Sequence, residues 1–223
     1  MGTAPKELWP PCFSAAIFDF DGTIAETAQI WQEVDEAFLG ARGIECTPEY
    51  ARTLSVLGFE AGARYTIDTY GLAESVEEIC DEWMRTSRAL YRSHVWLRPG
   101  AGEYIRALRV RGVRCALATT NDADVLDAME HVNIDALMDA RVHGAEVAAS
   151  KDQPDIYLEA ARRLGVAPHD CIVFEDIEPG IRAARSAGFL TCALHTQDPS
   201  QRWREVRAAA DICLEDWCDI PLS

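Results

Sequence analysis

Lysine is nearly absent from this chain. Of the 21 Lys and Arg residues in 223, only Lys6 and Lys151 are lysine. Positive charge is scarce altogether, with a formal net charge of -16. A basic face for a nucleic-acid duplex or an anionic membrane surface is therefore not expected. No apolar run approaches the roughly 20 residues that span a bilayer. The first residues, MGTAPKELWPPC, lack a continuous apolar stretch and contain three prolines, so no secretory leader is read there. Lys6 also stands where a myristoylation signal asks for Ser or Thr. A cytoplasmic protein is the expectation. The eight cysteines include no CxxC pair and no Cys–His cluster of zinc spacing. Several fall in apolar runs such as VRCALA and CIVF, and read as small buried hydrophobes in a reducing compartment. No P-loop and no GxGxxG occurs, which leaves a nucleotide kinase or a dinucleotide enzyme unsupported.

What is present is an alternation. Short apolar runs at 14–19, 113–119, 171–175, 190–194 and 211–214 read as strands. Between them lie amphipathic stretches at 100–112, 122–132, 153–165 and 179–188. Gly165 and Gly188 stop two of these helices, and Pro179 suits the first turn of the last one. The pattern predicts an α/β fold: a Rossmann-like, doubly wound parallel sheet. Residues 28–97 break it. They show no strand and read as helices at 28–42, 48–56, 60–70 and 74–94, with turns near Gly43, Gly58 and Gly71. The expected organisation is an α/β core of residues 1–27 and 98–223 with an inserted all-helical cap at 28–97. An insertion there hangs over the carboxyl ends of the strands, where open α/β sheets place ligands. An elaborated crossover helix pair is the plainer reading.

Chemistry should then recur at strand ends. The first strand runs into Asp19 and Asp21 and turns at Gly22. Side chains two apart on an extended chain point the same way, and two like charges there need a cation or a shared proton. The second ends in Thr119-Thr120-Asn121, hydroxyl and amide donors at a helix start, suited to an anion. Lys151 precedes the next helix, and its rarity marks it, because Lys is a compact point charge where Arg is a planar fork. The fourth run, CIVF, ends in Glu175 and Asp176. Converging acids suggest a hard divalent ion, and magnesium takes carboxylates and carbonyls. Together these parts suggest phosphoryl transfer. Asp19 is placed to attack phosphorus, and Asp21 to serve as acid and then base. Thr119 and Lys151 are placed to hold the phosphoryl oxygens.

The motifs DFDGTI, LATTN, SKDQPDIY and VFEDIEPG, in that order, resemble those of the haloacid dehalogenase superfamily of phosphohydrolases. The nearest likeness is its helical-cap subfamily of β-phosphoglucomutase-like phosphatases, and it covers nearly the whole chain. The resemblance implies a nucleophile at Asp19, which forms an aspartyl-phosphate, and an acid/base at Asp21. It implies a phosphate grip from Thr119 and Lys151, with Gly22, Thr120 and Asn121 beside them. It implies magnesium on Asp19, the Asp21 carbonyl and Asp176, with Glu175 joining directly or through water. The substrate would be a small phosphorylated metabolite.

Three departures bear on the branch. Asp152 replaces a common proline after the lysine. Trp31 stands ten residues after Asp21, where the sugar phosphomutases carry histidine, and reads as insert core or as a wall over the leaving group. GFEAGA, residues 58–63, lacks the basic residue with which a mutase grips a second phosphate. Asp21 argues against halide chemistry, and the absence of lysine from 28–97 argues against phosphonate cleavage through a Schiff base. Hydrolysis is the first expectation and a mutase the second. A phosphoryl-accepting signalling module is the alternative from another class. Arg52 and Arg64 are further candidate anion contacts.

Overall fold

The computed structural model describes residues 7–222. Among them, six strands form one sheet: β1 (Ala15–Phe18), β2 (Arg114–Thr119), β3 (Ala140–His143), β4 (Cys171–Glu175), β5 (Leu190–Leu194) and β6 (Ile212–Leu214). Their order is β3-β2-β1-β4-β5-β6, and every neighbouring pair is parallel. The chain leaves β1 towards β2 and β3, then crosses back to β4 on the other side. The reversal falls at β1, the place where such sheets open a ligand crevice.

The sequence forms these strands because both sheet faces are covered. β1 and β4 are buried at every position, so they read as continuous apolar runs and not as alternation. Four insert helices come first in the chain: α1 (Ala28–Gly40), α2 (Pro48–Val56), α3 (Phe59–Tyr70) and α4 (Val76–His94). After them come α5 (Ala101–Val110), α6 (Ala123–Leu126), α7 (Ile134–Leu137), α8 (Asp155–Leu164), α9 (Glu178–Ser186) and α10 (Trp203–Ala209). Ala16 and Phe18 of β1 face the side packed by Tyr104, Ile105 and Leu108 of α5. Ala15 and Ile17 face Ile156, Tyr157 and Ala160 of α8. Phe18 stacks on Phe174 with ring centroids 4.8 Å apart, and each buried ring contributes about 2–3 kcal/mol through removal from water.

The insert has an apolar core of its own, with Val34, Phe38, Leu39, Tyr50, Ile79 and Trp83. α4 starts with a reciprocal cap: the Glu78 N–H donates to Ser75 Oγ at 3.2 Å, and the Ser75 N–H donates to Glu78 Oε2 at 2.8 Å. The chain enters and leaves the insert through adjacent segments, with Ala25 bridged antiparallel to Leu97 and the Arg98 N–H donating to the Ile24 carbonyl at 2.8 Å.

The five expected strands and the four insert helices are present. β3 was not expected: its sequence, ARVH, offers a single aliphatic core residue, and its strand form depends on pairing with β2. The helix expected at 122–132 is confined to its first turn, α6, and α7 beyond that range was not foreseen. α10 was likewise not foreseen. All eight cysteines are free; Cys115, Cys171 and Cys192 are buried, whereas Cys12 and Cys218 are exposed and so are not the buried hydrophobes expected of the set. Among the described residues, no helix is long and apolar enough to cross a membrane.

Candidate active site

Four strand-end segments meet at the carboxyl edge of the sheet. β1 delivers Asp19 and β4 delivers Glu175 and Asp176. Ligand oxygens of these three lie within 4.8 Å of one another. The loop before α8 brings Lys151 among them: its ammonium donates to Asp19 Oδ1, and to Glu175 Oε2 at 2.8 Å. Lys151 is 3% exposed and Glu175 is fully buried. Burial disfavours the lysine's charge, but Asp19 and Glu175 together hold its pKa above the ordinary value. The Tyr157 hydroxyl also donates to Glu175 Oε2, at 3.1 Å.

This edge holds three buried carboxyl groups and one lysine. Burial pushes the Asp19 carboxyl up to about 8; Lys151 works against that rise, and Glu175 and Asp21 add to it. Asp176 is raised too, by burial and then by Glu175 and Asp19. The excess of acid over base, on hard oxygen donors, fits a divalent cation such as magnesium. Backbone geometry makes room for the cluster. Gly22 has φ +79°, and a Cβ there would stand 2.2 Å from Asp176 Oδ2. A Cβ on Gly180 would stand 2.6 Å from the Tyr157 oxygen.

Asp21 belongs to a different network. Its carboxylate is turned to the insert, where Oδ1 accepts from the Tyr91 hydroxyl, from Thr27 Oγ1 at 2.7 Å and from Trp31 Nε1 at 3.0 Å. Asn121 Nδ2 donates to its Oδ2 at 3.2 Å. The two acids of the first motif thus separate: Asp19 faces Lys151 and the other buried acids, and Asp21 faces hydroxyl, indole and amide donors. Thr119 ends β2 fully buried, and its Oγ1 accepts from the Asn121 N–H at 3.1 Å. Thr120 and Asn121 border the cavity described next.

That cavity, of about 800 Å³, lies between the strand ends and the insert. Asp19, Asp21, Gly22, Lys151, Glu175 and Asp176 line its floor. The insert supplies the opposite wall, including Trp31, Asp35, Arg52, Phe59 and Trp83. Arg64 is not among the lining residues; it is exposed and pairs with Glu60 at 3.5 Å. The Lys151 N–H donates to the Val56 carbonyl at the end of α2, so the insert touches the lysine loop directly.

The structure brings together Asp19, Lys151, Glu175 and Asp176, as the sequence spacing suggested. Sequence reasoning did not find Thr27, Tyr91 or Tyr157. Thr27 lies six residues after Asp21, and Tyr157 ends the third motif six residues after Lys151, but Tyr91 is 70 residues from Asp21 and carries no local signal. Trp31 was read as core or wall; it is partly buried, edge-on to Phe59 and Tyr91, and its indole N–H also holds Asp21.

The chain is similar to known proteins in sequence and in fold. Residues 16–194 match the haloacid dehalogenase-like hydrolase family. The chain is 34% identical over 179 residues to a probable pseudouridine-5'-phosphatase of Drosophila melanogaster, covering 77% of each protein. It is 30% identical over 185 residues to the protein CbbY of Rhodobacter capsulatus, covering 78% of this chain and 82% of that one. The crystal structure of CbbY from Rhodobacter sphaeroides in complex with phosphate superposes with a TM-score of 0.80 at 27% identity, covering 92% of this chain and 95% of that one. The strand-end acids, the lysine among them and the match over most of the chain lead to one assignment: the chain belongs to the haloacid dehalogenase-like hydrolases and is an enzyme of that kind, a phosphatase.

Proposed function

We propose that this phosphatase is a magnesium-dependent phosphomonoesterase that acts on a small phosphorylated metabolite through an aspartyl-phosphate on Asp19. The observation that carries the reading is the buried pairing of Asp19 with Lys151 beside Glu175 and Asp176. A nucleophilic carboxylate needs a cation at hand to meet an anionic phosphate, and Lys151 supplies a fixed one. In the first half-reaction an Asp19 oxygen bonds to phosphorus, and the bond to the ester oxygen breaks. Asp21 gives its proton to the departing alcohol. In the second, Asp21 takes a proton from water, whose oxygen attacks the phosphorus, and Asp19 leaves as carboxylate with release of orthophosphate. Thr119, Thr120, Asn121 and the backbone at Gly22 cradle the phosphoryl oxygens alongside Lys151. Asp19 and Asp176 would hold magnesium, with the Asp21 carbonyl and with Glu175 directly or through water. When bound, the ion neutralises the charge that spreads over the phosphoryl group. Residues 28–97 serve as the cap over this site, and residues 1–27 and 98–223 as its core.

The separation of Asp21 from the Asp19 cluster supports distinct roles for the two acids. Trp31 in place of a mutase histidine, and the absence of a basic residue in GFEAGA, favour transfer to water over transfer to a second sugar oxygen. The test is hydrolysis of p-nitrophenyl phosphate with magnesium. Chelation and Asp19→Asn are each expected to abolish it. Full turnover by Asp19→Asn would remove the nucleophile assignment, and conversion of a sugar 1-phosphate to its 6-phosphate would install the mutase instead.

A further inference from the structure

We propose that His143, at the end of β3, is a positioning residue for the Thr119–Asn121 loop: its imidazole fixes the Asn121 backbone, so that the loop meets Asp21 and the phosphoryl group in one arrangement. The inference rests on the phosphatase reading and extends it to a residue outside the cavity. His143 stands opposite Thr119 in the pairing of β2 with β3. It is 8% exposed and is not among the residues that line the cavity. Its ring Nδ1 lies 3.0 Å from the Asn121 carbonyl oxygen. A carbonyl oxygen only accepts, so Nδ1 carries the proton and donates. Nε2 is then a bare acceptor, and it is buried with no partner among the described residues.

That orphan nitrogen separates two readings of the residue. A side chain that only filled space here would be better as leucine, since a buried polar atom without a partner costs stability. The imidazole keeps that cost and makes one bond with its ring, to Asn121. Asn121 is where such a bond matters. Its Nδ2 donates to Asp21 Oδ2 at 3.2 Å, and its N–H donates to Thr119 Oγ1 at 3.1 Å. Its Oδ1 accepts from the Asp122 N–H at 2.9 Å. These groups are committed to the loop and to Asp21. The carbonyl is left, and among the described residues only His143 donates to it.

The end of β3 is itself held. The His143 N–H donates to Glu146 Oε2 at 2.8 Å, and Arg163 of α8 donates to Glu146 Oε1 at 2.7 Å. Gly144 lies so near the loop that a Cβ on it would stand 3.2 Å from Thr120 Cα and 3.3 Å from the Thr120 carbonyl oxygen. His143 and Gly144 thus brace Asn121 and Thr120 from outside the cavity. A loop braced this way holds its donors where the charge of phosphoryl transfer develops.

The test follows kcat and KM for p-nitrophenyl phosphate with magnesium in the full-length protein. His143→Leu removes the ring donor, whereas His143→Asn places an amide nitrogen near the position of Nδ1. In the leucine variant kcat is expected to fall about 10- to 100-fold, the scale of a slightly displaced catalytic group. KM is expected to stay within about threefold, because Lys151 still meets the phosphate. The asparagine variant is expected to recover kcat to within about threefold of wild type, which a space-filling role would not produce. Gly144→Ala presses on Thr120 with His143 intact and is expected to lower kcat as well. Nitrogen NMR of the histidine-labelled wild type reads the tautomer: a proton on Nδ1 is expected, with His143 picked out from the five histidines by its loss in His143→Asn. Wild-type kcat in the leucine variant, equal losses in the leucine and asparagine variants, or a proton on Nε2 alone overturns the inference and leaves the phosphatase reading in place. If the leucine variant does not fold, the tautomer and Gly144→Ala decide, and an unmoved kcat in the alanine variant overturns the inference. Failure of the wild type to hydrolyse p-nitrophenyl phosphate overturns both.

Discussion

The sheet edge and the helical insert bury acid in opposite ways. At the sheet edge, Asp19 and Glu175 share Lys151 and Tyr157 donates to Glu175, so two of the three buried acids have a partner there. In the insert, Asp35 is buried near Cys46, Tyr50 and Tyr70, and among the described residues no ion pair holds it. The insert's ion pairs lie nearer its surface, as where Arg42 bonds Glu74 and Glu82 at 2.8 Å each. The edge holds its lysine among its acids before substrate arrives and suits chemistry common to every phosphate ester. The insert keeps an acid without an ion pair among the described residues, and it lines the cavity from the other side. The contrast can be broken at either end.

The largest effect should come from the edge. Lys151→Met keeps the length of the side chain but leaves Asp19 and Glu175 buried without their cation. Removing one member of a buried pair costs about 3–5 kcal/mol. Urea unfolding is expected to show that loss, and p-nitrophenyl phosphate turnover is expected to vanish with it. Stability close to wild type would mean that the edge is not held by this pair.

The insert should respond in the other direction. The Asp35 carboxyl is raised from 3.8 to about 7 in the folded protein. The folded state therefore binds its proton more tightly than the unfolded chain. Stability is fully present below pH 4 and declines as pH rises through 7, by about 1.4 kcal/mol per pH unit within that window. Asp35→Asn removes this decline. The variant is expected to match the wild type near pH 4 and to exceed it at pH 8. Urea midpoints at pH 4.5, 6 and 8 check this, and parallel curves for the two proteins would show that Asp35 is not buried as described. A residue that lowers stability at working pH is one that folding alone does not require.

These two regions were unequally legible in the sequence. The edge was readable because its acids follow apolar runs, as Asp19 follows AAIF and Glu175 follows CIVF, and because lysine is rare enough to mark Lys151. The insert helices were readable from periodicity, but their facing was not. Asp35 is one of several acids on α1, and it is buried near Cys46, Tyr50 of α2 and Tyr70 of α3 while Glu33 and Glu36 stay exposed. β3 escaped notice for a related reason: ARVH is too polar to announce a strand, and its pairing with Ala116–Thr119 is what makes it one. Tyr91 reaches Asp21 across 70 residues, a contact that topology alone creates.

A smaller effect tests how tightly the edge is fitted. Gly22→Ala adds a methyl group 2.2 Å from Asp176 Oδ2, at a backbone φ of +79° that side chains disfavour. A cost of about 2 kcal/mol is expected, from strain and overpacking together. Gly43 has a similar φ of +69° with nothing within 4 Å of its Cβ position. Gly43→Ala therefore reports the backbone cost alone. The difference between the two urea midpoints measures the crowding at Asp176, and equal losses would show that the site does not press on Gly22.

The smallest effect lies where the two regions meet. Trp31 belongs to the insert by its packing and to the edge by its hydrogen bond to Asp21. Trp31→Phe keeps an aromatic ring against Phe59 and Tyr91 but removes the indole N–H. Asp21 would keep Thr27, Tyr91 and Asn121, so one donor of four is lost. A hydrogen bond to a charged group is worth about 1.5–3 kcal/mol, and the remaining donors should hold the loss to the low end, roughly tenfold in kcat. If Trp31 positions the acid, kcat falls, its pH profile shifts, and KM for p-nitrophenyl phosphate stays within about twofold, because that leaving group loses no binding contact. If Trp31 is only wall, KM rises and the pH profile keeps its shape. Tyr91→Phe gives the matching measurement from α4: it removes a hydroxyl donor to the same Asp21 oxygen without changing the ring that packs against Phe20 and Trp31. Equal shifts in the two variants would place the control of Asp21 in the insert. The insert would then take part in the chemistry, and the division between the two regions would run through Asp21.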